Sequence, residues 1–346
     1  MNIWNVVFST ITATLLAVPA LADSAPDPLF QDDTLLEVTI TAPFKTIMNE
    51  RPKDDSLPGI FQFKDASGAD VKFDVDIRTR GHFRHETCDF PPLFLNFKKS
   101  QVKETLFQNQ NKMKLVVHCD DAATYEQIVL REYLAYRILN AVTDESFRVR
   151  LLRVVYVNTE KKNKEQVRYA FLIEHKNRLG DRLGVKDLEI ARTLVQSIQP
   201  EQLNLSSIFE YLIGNTDFSP VAGPPGDECC HNYVLFGREG QPILAVAYDF
   251  DQSGFVDAPY ALPDERMRIR NVRQRAYRGR CVNNGYIDAS LQRFKDSRAA
   301  IYTLIDEQEG LSSRTRNSML KYVRKFYEIV DDPRKVEKHI VKSCLN

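Results

Sequence analysis

The chain has 346 residues, of which 43% are hydrophobic, and this is enough for one large core or two lobes. Its 47 Lys and Arg residues balance its 47 Asp and Glu residues, so the formal net charge is zero. An overall electrostatic attraction to nucleic acid is thereby excluded, and we predict no nucleic-acid partner.

The first residues predict a secretory signal peptide at residues 1–22. The stretch from Val6 to Val18 is mainly apolar, and Ala20-Leu-Ala22 offers a small-residue cleavage site before Asp23. No later segment reaches the roughly 20 apolar residues that a membrane-spanning helix needs. We therefore expect a secreted or periplasmic protein, cleaved after Ala22, with no transmembrane segment in the mature chain.

Six cysteines lie in the mature chain: Cys88, Cys119, Cys229, Cys230, Cys281 and Cys344. An even number in an exported chain favours disulfides, and the spacings fit no zinc site. We expect the first two to pair, because they flank adjacent predicted strands. The adjacent third and fourth should pair outward, one with each of the last two, because a vicinal disulfide strains the backbone.

The part of the chain from residue 23 to residue 174 predicts a β-rich N-terminal lobe. Period-2 alternation and apolar runs indicate seven strands. These are Leu36–Thr41, Ile60–Phe63, Val71–Ile77, Leu93–Phe97, Met113–Val117, Leu151–Val157 and Val167–Ile173. An apolar stripe over Thr124–Val142 indicates one long helix between the fifth and sixth strands.

The part from residue 175 to residue 346 predicts a mainly helical C-terminal lobe. The predicted helices are Lys186–Gln199, Pro200–Gly214, Leu291–Glu309, Ser312–Ile329 and Pro333–Lys342. Two short strands, Asn232–Phe236 and Ile243–Tyr248, interrupt them. This order of elements is that of an α+β, two-lobed protein-kinase-like fold, with the catalytic and metal-binding loops in the second lobe. The order alone would also suit other α+β proteins, so the motifs must decide.

Four polar side chains stand where predicted elements begin or end. Asp217 follows an apolar helix, Asn232 opens a strand, and Asp249 and Asp251 leave the next strand. Phosphoryl transfer needs one carboxylate that orients the attacking hydroxyl group, and an Asn amide and a second carboxylate that hold Mg²⁺. The alternative is structural, because Asp and Asn also occupy turns for backbone reasons.

Cationic residues in the first lobe suggest a nucleotide-binding role. Lys114 lies on a predicted strand and Glu132 on the long helix, and a Lys–Glu pair of this kind holds nucleotide phosphates in kinases. Arg80 precedes a glycine at the end of the longest strand, where a guanidinium group can contact phosphate. Alternatively these are solvated surface side chains, and Lys98 and Lys99 compete with Lys114 for the role.

Taken in order, these motifs resemble the spore-coat protein H (CotH) kinase family and, more distantly, the HipA-type kinases. The resemblance runs from about residue 70 to residue 255. It is carried by Arg80-Gly81, by Lys114-Leu-Val-Val-His-Cys-Asp-Asp121 leading into Leu130-Arg-Glu-Tyr-Leu-Ala-Tyr136, by Tyr169-Ala-Phe-Leu-Ile-Glu174, by Ile213-Gly-Asn-Thr-Asp217, by Asn232-Tyr233 and by Tyr248-Asp-Phe-Asp251.

The resemblance implies an atypical kinase that uses ATP with Mg²⁺ (or Mn²⁺). Asp217 would orient the acceptor, and Asn232 and Asp249 would bind the metal, with Asp251 as a competitor for Asp249. The cofactor-binding residues would be Arg80, Lys114, Glu132 and Glu174. The acceptor would be a secreted or envelope protein, or another anionic molecule that bears a hydroxyl group.

One departure from the family leaves a second hypothesis open. An insertion from Phe218 to His231 separates Asp217 from Asn232, and the chain could be a non-catalytic envelope protein used for binding or scaffolding. The histidines, His231 included, are assigned structural roles. The arginine-rich stretch from Arg266 to Arg280 is interpreted either as a docking site for an anionic acceptor or as a loop neutralised by neighbouring carboxylates.

Overall fold

The computed structural model describes residues 26–162, 164–224, 229–265 and 267–346, so the predicted signal peptide and Arg266 lie outside the described residues. The strands are β1 (Leu36–Ala42), β2 (Leu57–Lys64), β3 (Asp70–Thr79), β4 (Leu93–Phe97), β5 (Lys112–Val116), β6 (Val149–Asn158), β7 (Lys164–Ile173), β8 (Lys186–Asp187), β9 (Tyr233–Gly237) and β10 (Leu244–Ala247). The helices are α1 (Phe44–Glu50), α2 (Phe83–Thr87), α3 (Lys99–Val102), α4 (Ala123–Val142), α5 (Lys176–Leu183), α6 (Pro200–Ile213), α7 (Ile287–Asp296), α8 (Arg298–Glu307), α9 (Ser313–Val330) and α10 (Pro333–His339).

The first seven strands close into a mixed barrel in the order β1-β2-β3-β4-β5-β7-β6. Six of the seven neighbouring pairs are antiparallel, and β6 closes the barrel by running parallel to β1, with Leu36 opposite Leu152. Strand β3 shows why the chain forms this wall, because Phe73, Val75 and Ile77 are buried while the residues between them face outward.

Phenylalanine side chains fill the barrel interior. The ring centroids of Phe61 and Phe107 lie 5.3 Å apart, and those of Phe73 and Phe97 lie 5.6 Å apart in an edge-to-face arrangement. All four side chains are buried. Each fully buried ring stabilises the fold by roughly 1.5–3 kcal/mol relative to an exposed one, so the barrel has a core of its own.

A second core forms where α4 packs on the outside of the barrel. Strands β6 and β7 are buried on both faces: Leu152 and Leu172 point into the barrel, while Leu151 and Phe171 pack in the second core with α4. This explains why both strands read as nearly continuous apolar runs. Helix α6, strands β9 and β10 and the C-terminal helices complete the second core.

The predicted two-lobed protein-kinase-like fold is wrong, although the α+β class is correct. The β-rich part is a closed seven-stranded barrel and not a kinase-like lobe. Alternation identified the strands, but it carries no information on their partners, and β1 meets β6 across more than a hundred residues of sequence. This long-range parallel pairing is what converts an open sheet into a barrel.

Two predicted helices also differ from the structure. The predicted helix Lys186–Gln199 is wrong: the segment begins with β8, because Lys186 and Asp187 pair with β9, and its one helical turn is the short 3-10 helix Val195–Ser197. The predicted helix Leu291–Glu309 is divided into α7 and α8 at Ser297, whose hydroxyl group donates a hydrogen bond of 3.0 Å to the carbonyl oxygen of Ala141 at the end of α4. In both places a tertiary contact overrides the local helical pattern.

The described cysteines form three disulfides. The predicted Cys88–Cys119 pair is confirmed, with Cα atoms 4.6 Å apart. The predicted outward pairing of the other four is wrong, because the vicinal cysteines pair with each other and the last two pair with each other, their Cα atoms 5.0 Å apart. The C-terminus explains the last pair: the backbone N–H of Cys281 donates to the carbonyl oxygen of Leu345 at 2.9 Å.

Disulfides persist in oxidising compartments, so these three are compatible with an extracellular location. Within the described ranges, no helix combines the length and the apolar character that crossing a membrane requires.

Candidate active site

A cleft of about 630 Å³ lies between the barrel wall and the C-terminal half of the chain. Arg80 and Lys114 line it from the barrel, and Asp217, Asn232 and Asp249 line it from the opposite side. We call it the active-site cleft. It adjoins a second cavity of about 400 Å³, with which it shares Phe94, Lys114, Cys230 and Tyr248 among its lining residues.

The end of α6 positions Asp217. The helix stops at Gly214, whose φ of +66° is the left-handed conformation that favours glycine, and a side chain there would also collide with the hydroxyl group of Tyr322. The side-chain oxygen of Asn215 then accepts a hydrogen bond of 2.9 Å from the backbone N–H of Asp217. This turn directs the chain out of the buried helix and into the cleft.

The insertion that separates Asp217 from Asn232 folds back on itself. The backbone N–H of Ser219 donates to the carbonyl oxygen of His231 at 2.9 Å, so the two ends of the insertion lie side by side. As a result Asn232, fifteen residues downstream, donates from its amide group to both the backbone oxygen of Asp217 at 2.5 Å and its carboxylate at 3.2 Å. The added length does not separate the two residues in space.

His231 belongs to this site, although the sequence analysis assigned it a structural role. Its Nε2 atom lies 2.7 Å from a carboxylate oxygen of Asp217, and this hydrogen bond raises the pKa of the imidazole above its ordinary value. The sequence contained one signal for this role: His231 is the neighbour of Asn232 in the chain, so a cleft that contains Asn232 also lies close to His231.

Asn232 and Asp249 lie at the same end of the β9–β10 hairpin. The backbone N–H of Tyr248 donates to the carbonyl oxygen of Asn232 at 3.0 Å, which extends the ladder to that end. Both site residues have left-handed backbones, with φ of +56° and +64°, a conformation that Asn and Asp tolerate better than other non-glycine residues. The hydroxyl group of Tyr136 on α4 stabilises the backbone at Asp249, because it accepts a hydrogen bond of 2.8 Å from the backbone N–H of that residue.

Asp251 faces a buried cation at the back of the cleft. Phe250 anchors the segment, its ring centroid 4.6 Å from that of Tyr136. Arg84 then places Nε 3.9 Å from the carboxylate of Asp251 and Nη1 3.3 Å from the carboxylate of Glu132. Burial raises the pKa of both carboxyl groups, and the guanidinium group of Arg84 partly offsets this effect.

The predicted Lys114–Glu132 pair is not formed. In the described part of the chain the ion-pair partner of Glu132 is Arg84, which the sequence analysis did not assign to the site. The ammonium group of Lys114 instead lies 4.8 Å from the ring centroid of Tyr248. Helix α2, which carries Arg84, begins just after Gly81, and Arg84 is its buried residue.

Arg80 and Lys114 supply positive charge to the cleft. Nε of Arg80 donates to the carbonyl oxygen of Leu93 at 3.2 Å, which fixes the guanidinium group. Lys114 makes no ion pair with any described residue, and burial together with the neighbouring Arg80 lowers its pKa to about 8. Two adjacent cations with few anionic partners form a site that attracts phosphate.

Glu174, another predicted cofactor-binding residue, follows the last residue of β7. Its carboxylate is buried and accepts two hydrogen bonds from Arg182, at 3.1 and 3.0 Å, and one from the backbone N–H of Arg148 at 3.1 Å. Glu174 lines the smaller cavity, but its carboxylate holds the end of β7 against α5.

The smaller cavity is lined by apolar and by charged side chains, and we call it the apolar slot after its apolar walls. Its walls include Phe94, Phe147, Ile173, Leu235 and Tyr248. Aromatic and aliphatic walls of this kind suit a planar ring, and polar groups at one end fix its orientation. Lys114 stands at the junction of the slot and the active-site cleft.

A buried carboxyl group lies beneath the Asp217 loop. Glu210 on α6 is 1% exposed, and burial raises its pKa to about 8, an effect that the side chains of Asn215 and Tyr233 and the charge of Arg278 only partly offset. At neutral pH Glu210 is therefore mostly protonated, and it supports the loop without adding negative charge to the cleft.

The arginine-rich stretch does not act as one surface. Arg273 pairs with Asp257 at 2.6 Å, and Arg275 donates to the carbonyl oxygens of Leu212 and Tyr322. The two contacts of Arg275 fasten the end of α6 to α9. Arg268 and Arg270 remain exposed.

The cleft contains the oxygen ligands that Mg²⁺ prefers. Mg²⁺ at phosphate sites is held by one or two carboxylates, nucleotide phosphates and water, and Asp249 with the amide of Asn232 matches this set. Within the described ranges, no group of three or more His, Cys, Asp or Glu side chains is arranged to hold a metal ion by itself.

Comparison with known proteins gave no family model and no curated protein that matches the chain.

Proposed function

We propose that this protein is an exported phosphotransferase that uses ATP with Mg²⁺ or Mn²⁺ to phosphorylate a hydroxyl group, as the resemblance to CotH kinases implies. The observation that carries the proposal is the composition of one cleft. Asp217, Asn232 and Asp249 face Arg80 and Lys114 across it, and the apolar slot opens beside Lys114.

The two cavities suit the two halves of a nucleotide. The adenine ring would lie in the apolar slot, and the phosphates would extend past Lys114 toward Arg80. Asp249 and Asn232 would hold the divalent cation, and Asp251 is the alternative carboxylate ligand to Asp249. When bound, the cation neutralises negative charge on the phosphate oxygens.

Asp217 would orient the acceptor for transfer. The acceptor oxygen forms a bond to the γ-phosphorus while the bond from that phosphorus to the β,γ-bridging oxygen breaks, and ADP leaves. The hydroxyl proton passes to the Asp217 carboxylate. His231, hydrogen-bonded to the same carboxylate at 2.7 Å, holds its orientation.

A second candidate is a nucleotide-binding protein that transfers no phosphate. Both carboxylate oxygens of Asp217 already have partners, one the His231 ring and the other the Asn232 amide. A carboxylate that is engaged twice is a weaker proton acceptor, and this favours binding without transfer.

The test compares ATP binding and ATP turnover in matched variants. Asp249→Asn should remove the part of ATP binding that depends on Mg²⁺ or Mn²⁺, measured by calorimetry with and without each metal. Asp217→Asn should keep ATP binding and lose phosphate transfer, followed by ³¹P NMR. Asp288→Asn, an exposed carboxylate on α7, serves as the control.

The outcomes separate the candidates. Metal-dependent ATP binding with no turnover in the unaltered protein would favour the second candidate. Binding that Asp249→Asn leaves unchanged would remove Asp249 from the site. No binding of ATP under any condition would refute both.

A further inference from the structure

A third cavity of about 530 Å³ opens at one mouth of the barrel. Its floor is formed by Phe44, Phe90 and Tyr156, which belong to the core of the barrel interior. The ring centroids of Phe44 and Phe90 lie 5.4 and 5.1 Å from that of Tyr156. The cavity shares no described lining residue with the active-site cleft or the apolar slot, and barrel mouths are common places for small ligands.

A polar group without a partner lies at this floor. Tyr156 is 2% exposed, and its hydroxyl group makes no hydrogen bond with any described residue. Behind it His118 is fully buried, its ring centroid 4.7 Å from that of Phe90 and its Nε2 atom 3.9 Å from the carboxylate of Asp121, but it does not line the cavity. Buried polar groups are nearly always hydrogen-bonded, so the hydroxyl group of Tyr156, which does line the cavity, points to an occupant that supplies the missing partner.

One rim of the cavity is acidic. Asp89 follows Cys88 and Asp120 follows Cys119, and the disulfide between these cysteines brings the two carboxylates to the same side. The backbone N–H of Phe90 also donates to the carbonyl oxygen of Cys119 at 3.1 Å. The two loops are therefore fixed together, and their carboxylates form a local site for a cation.

Lysines also line the cavity. Lys161 follows β6 and Lys164 begins β7, and neither forms an ion pair with a described residue. Glu165 and Arg168 belong to the same lining. The carboxylate of Glu160, next to Lys161, accepts hydrogen bonds from the backbone N–H and the hydroxyl group of Thr46 at 2.9 and 2.7 Å. The two ammonium groups form a local site for a carboxylate.

We propose that the barrel mouth binds a small aromatic zwitterion, namely a free aromatic amino acid. The ring lies on Phe44, Phe90 and Tyr156, the ammonium group meets the acidic rim, and the carboxylate meets the lysines. A hydroxyl group on the ring supplies the partner that Tyr156 lacks. The site is separate from the active-site cleft, and the proposal does not depend on the proposed function.

The experiment uses four related probes in calorimetric titrations of the full mature chain. L-Tyrosine carries every recognised group, L-phenylalanine lacks the ring hydroxyl, tyramine lacks the carboxylate, and 3-(4-hydroxyphenyl)propionate lacks the ammonium group. L-Tyrosine should bind most tightly. Each deletion should weaken binding at least about fivefold, the worth of one hydrogen bond or more.

Two variants assign the contacts. Tyr156→Phe should abolish the preference for L-tyrosine over L-phenylalanine, and Lys161→Gln/Lys164→Gln should abolish the preference for L-tyrosine over tyramine. Lys321→Gln/Lys325→Gln, which removes the same charge from the exposed face of α9, should leave both preferences unchanged. The lysine variants alter exposed residues, so they remain informative if Tyr156→Phe fails to fold. The proposal is overturned if no probe binds saturably, if all four bind equally, or if the mouth variants leave the preferences intact.

Discussion

Replacement of Glu210 by Gln should stabilise the protein in a way that depends on pH. The substitution keeps the size and shape of a side chain that is 1% exposed beneath the Asp217 loop, and it removes the group that must lose a proton there. In the folded protein burial raises the pKa of this carboxyl group from 4.5 to about 8. The unfolded chain keeps the lower value.

The sign and size of the effect follow from the two pKa values. A carboxyl group whose pKa is raised by folding contributes its full stability below pH 4.5, and that contribution is lost as the pH rises toward 8. Each pH unit in this window changes the free energy of unfolding by ~1.4 kcal/mol. The advantage of Glu210→Gln over the unaltered protein should therefore grow by about 2.5 kcal/mol between pH 5 and pH 7, and level off above pH 8.

Urea denaturation of both proteins at pH 5, 6, 7 and 9 measures this difference. Comparison at equal pH cancels the titration of the other groups that the two proteins share. Glu201→Gln alters an exposed carboxylate in the first turn of the same helix and should show no such trend. A difference between Glu210→Gln and the unaltered protein that stays constant with pH would refute the reasoning.

Three further predictions concern stability and are checked by denaturant unfolding. Arg84→Met leaves Glu132 buried without its cation and should lower the free energy of unfolding by about 3–5 kcal/mol. Arg84→Met/Glu132→Leu should recover part of this loss, and equal losses in the single and the double variant would contradict the reasoning. Phe250→Ala should cost about 3–5 kcal/mol and Phe250→Leu clearly less, because the ring is fully buried. Cys281→Ser/Cys344→Ser should cost about 2–4 kcal/mol by releasing the C-terminus, and an unchanged midpoint would argue against that role.

The sequence predicted which residues line the cleft better than it predicted which side chains pair with each other there. Asp217, Asn232 and Asp249 stand at the ends of apolar elements, and such positions can be read from local pattern; the structure brings all three to one cleft. The partner of Glu132 could not be read in this way. Spacing along the chain favoured Lys114, but the short helix α2 turns Arg84 inward, and that depends on packing under Tyr260.

The fold was predicted in part, for a related physical reason. Alternation depends on which face of a strand is buried, so it located all seven strands of the barrel. Pairing depends on contacts across the whole chain, and nothing local marks β1 as the partner of β6. The same limit applies to the disulfides: Cys88 and Cys119 lie on adjacent elements, whereas Cys281 and Cys344 meet through a backbone bridge at the C-terminus.

The parallel pairing of β1 with β6 sets an order on folding. The barrel cannot close until the chain has been made as far as Ile173, because β7 joins β5 to β6, and β1 has one unpaired edge until β6 has been made. An unpaired strand edge is a template for pairing with other chains. A fragment that ends after α4 therefore retains most of the strands and yet should aggregate, while a fragment that extends past β7 can close its sheet and remove both edges. During synthesis from the N-terminus, β1 therefore lacks its second neighbouring strand until β6 is made more than a hundred residues later. Over that interval the incomplete sheet must avoid aggregation.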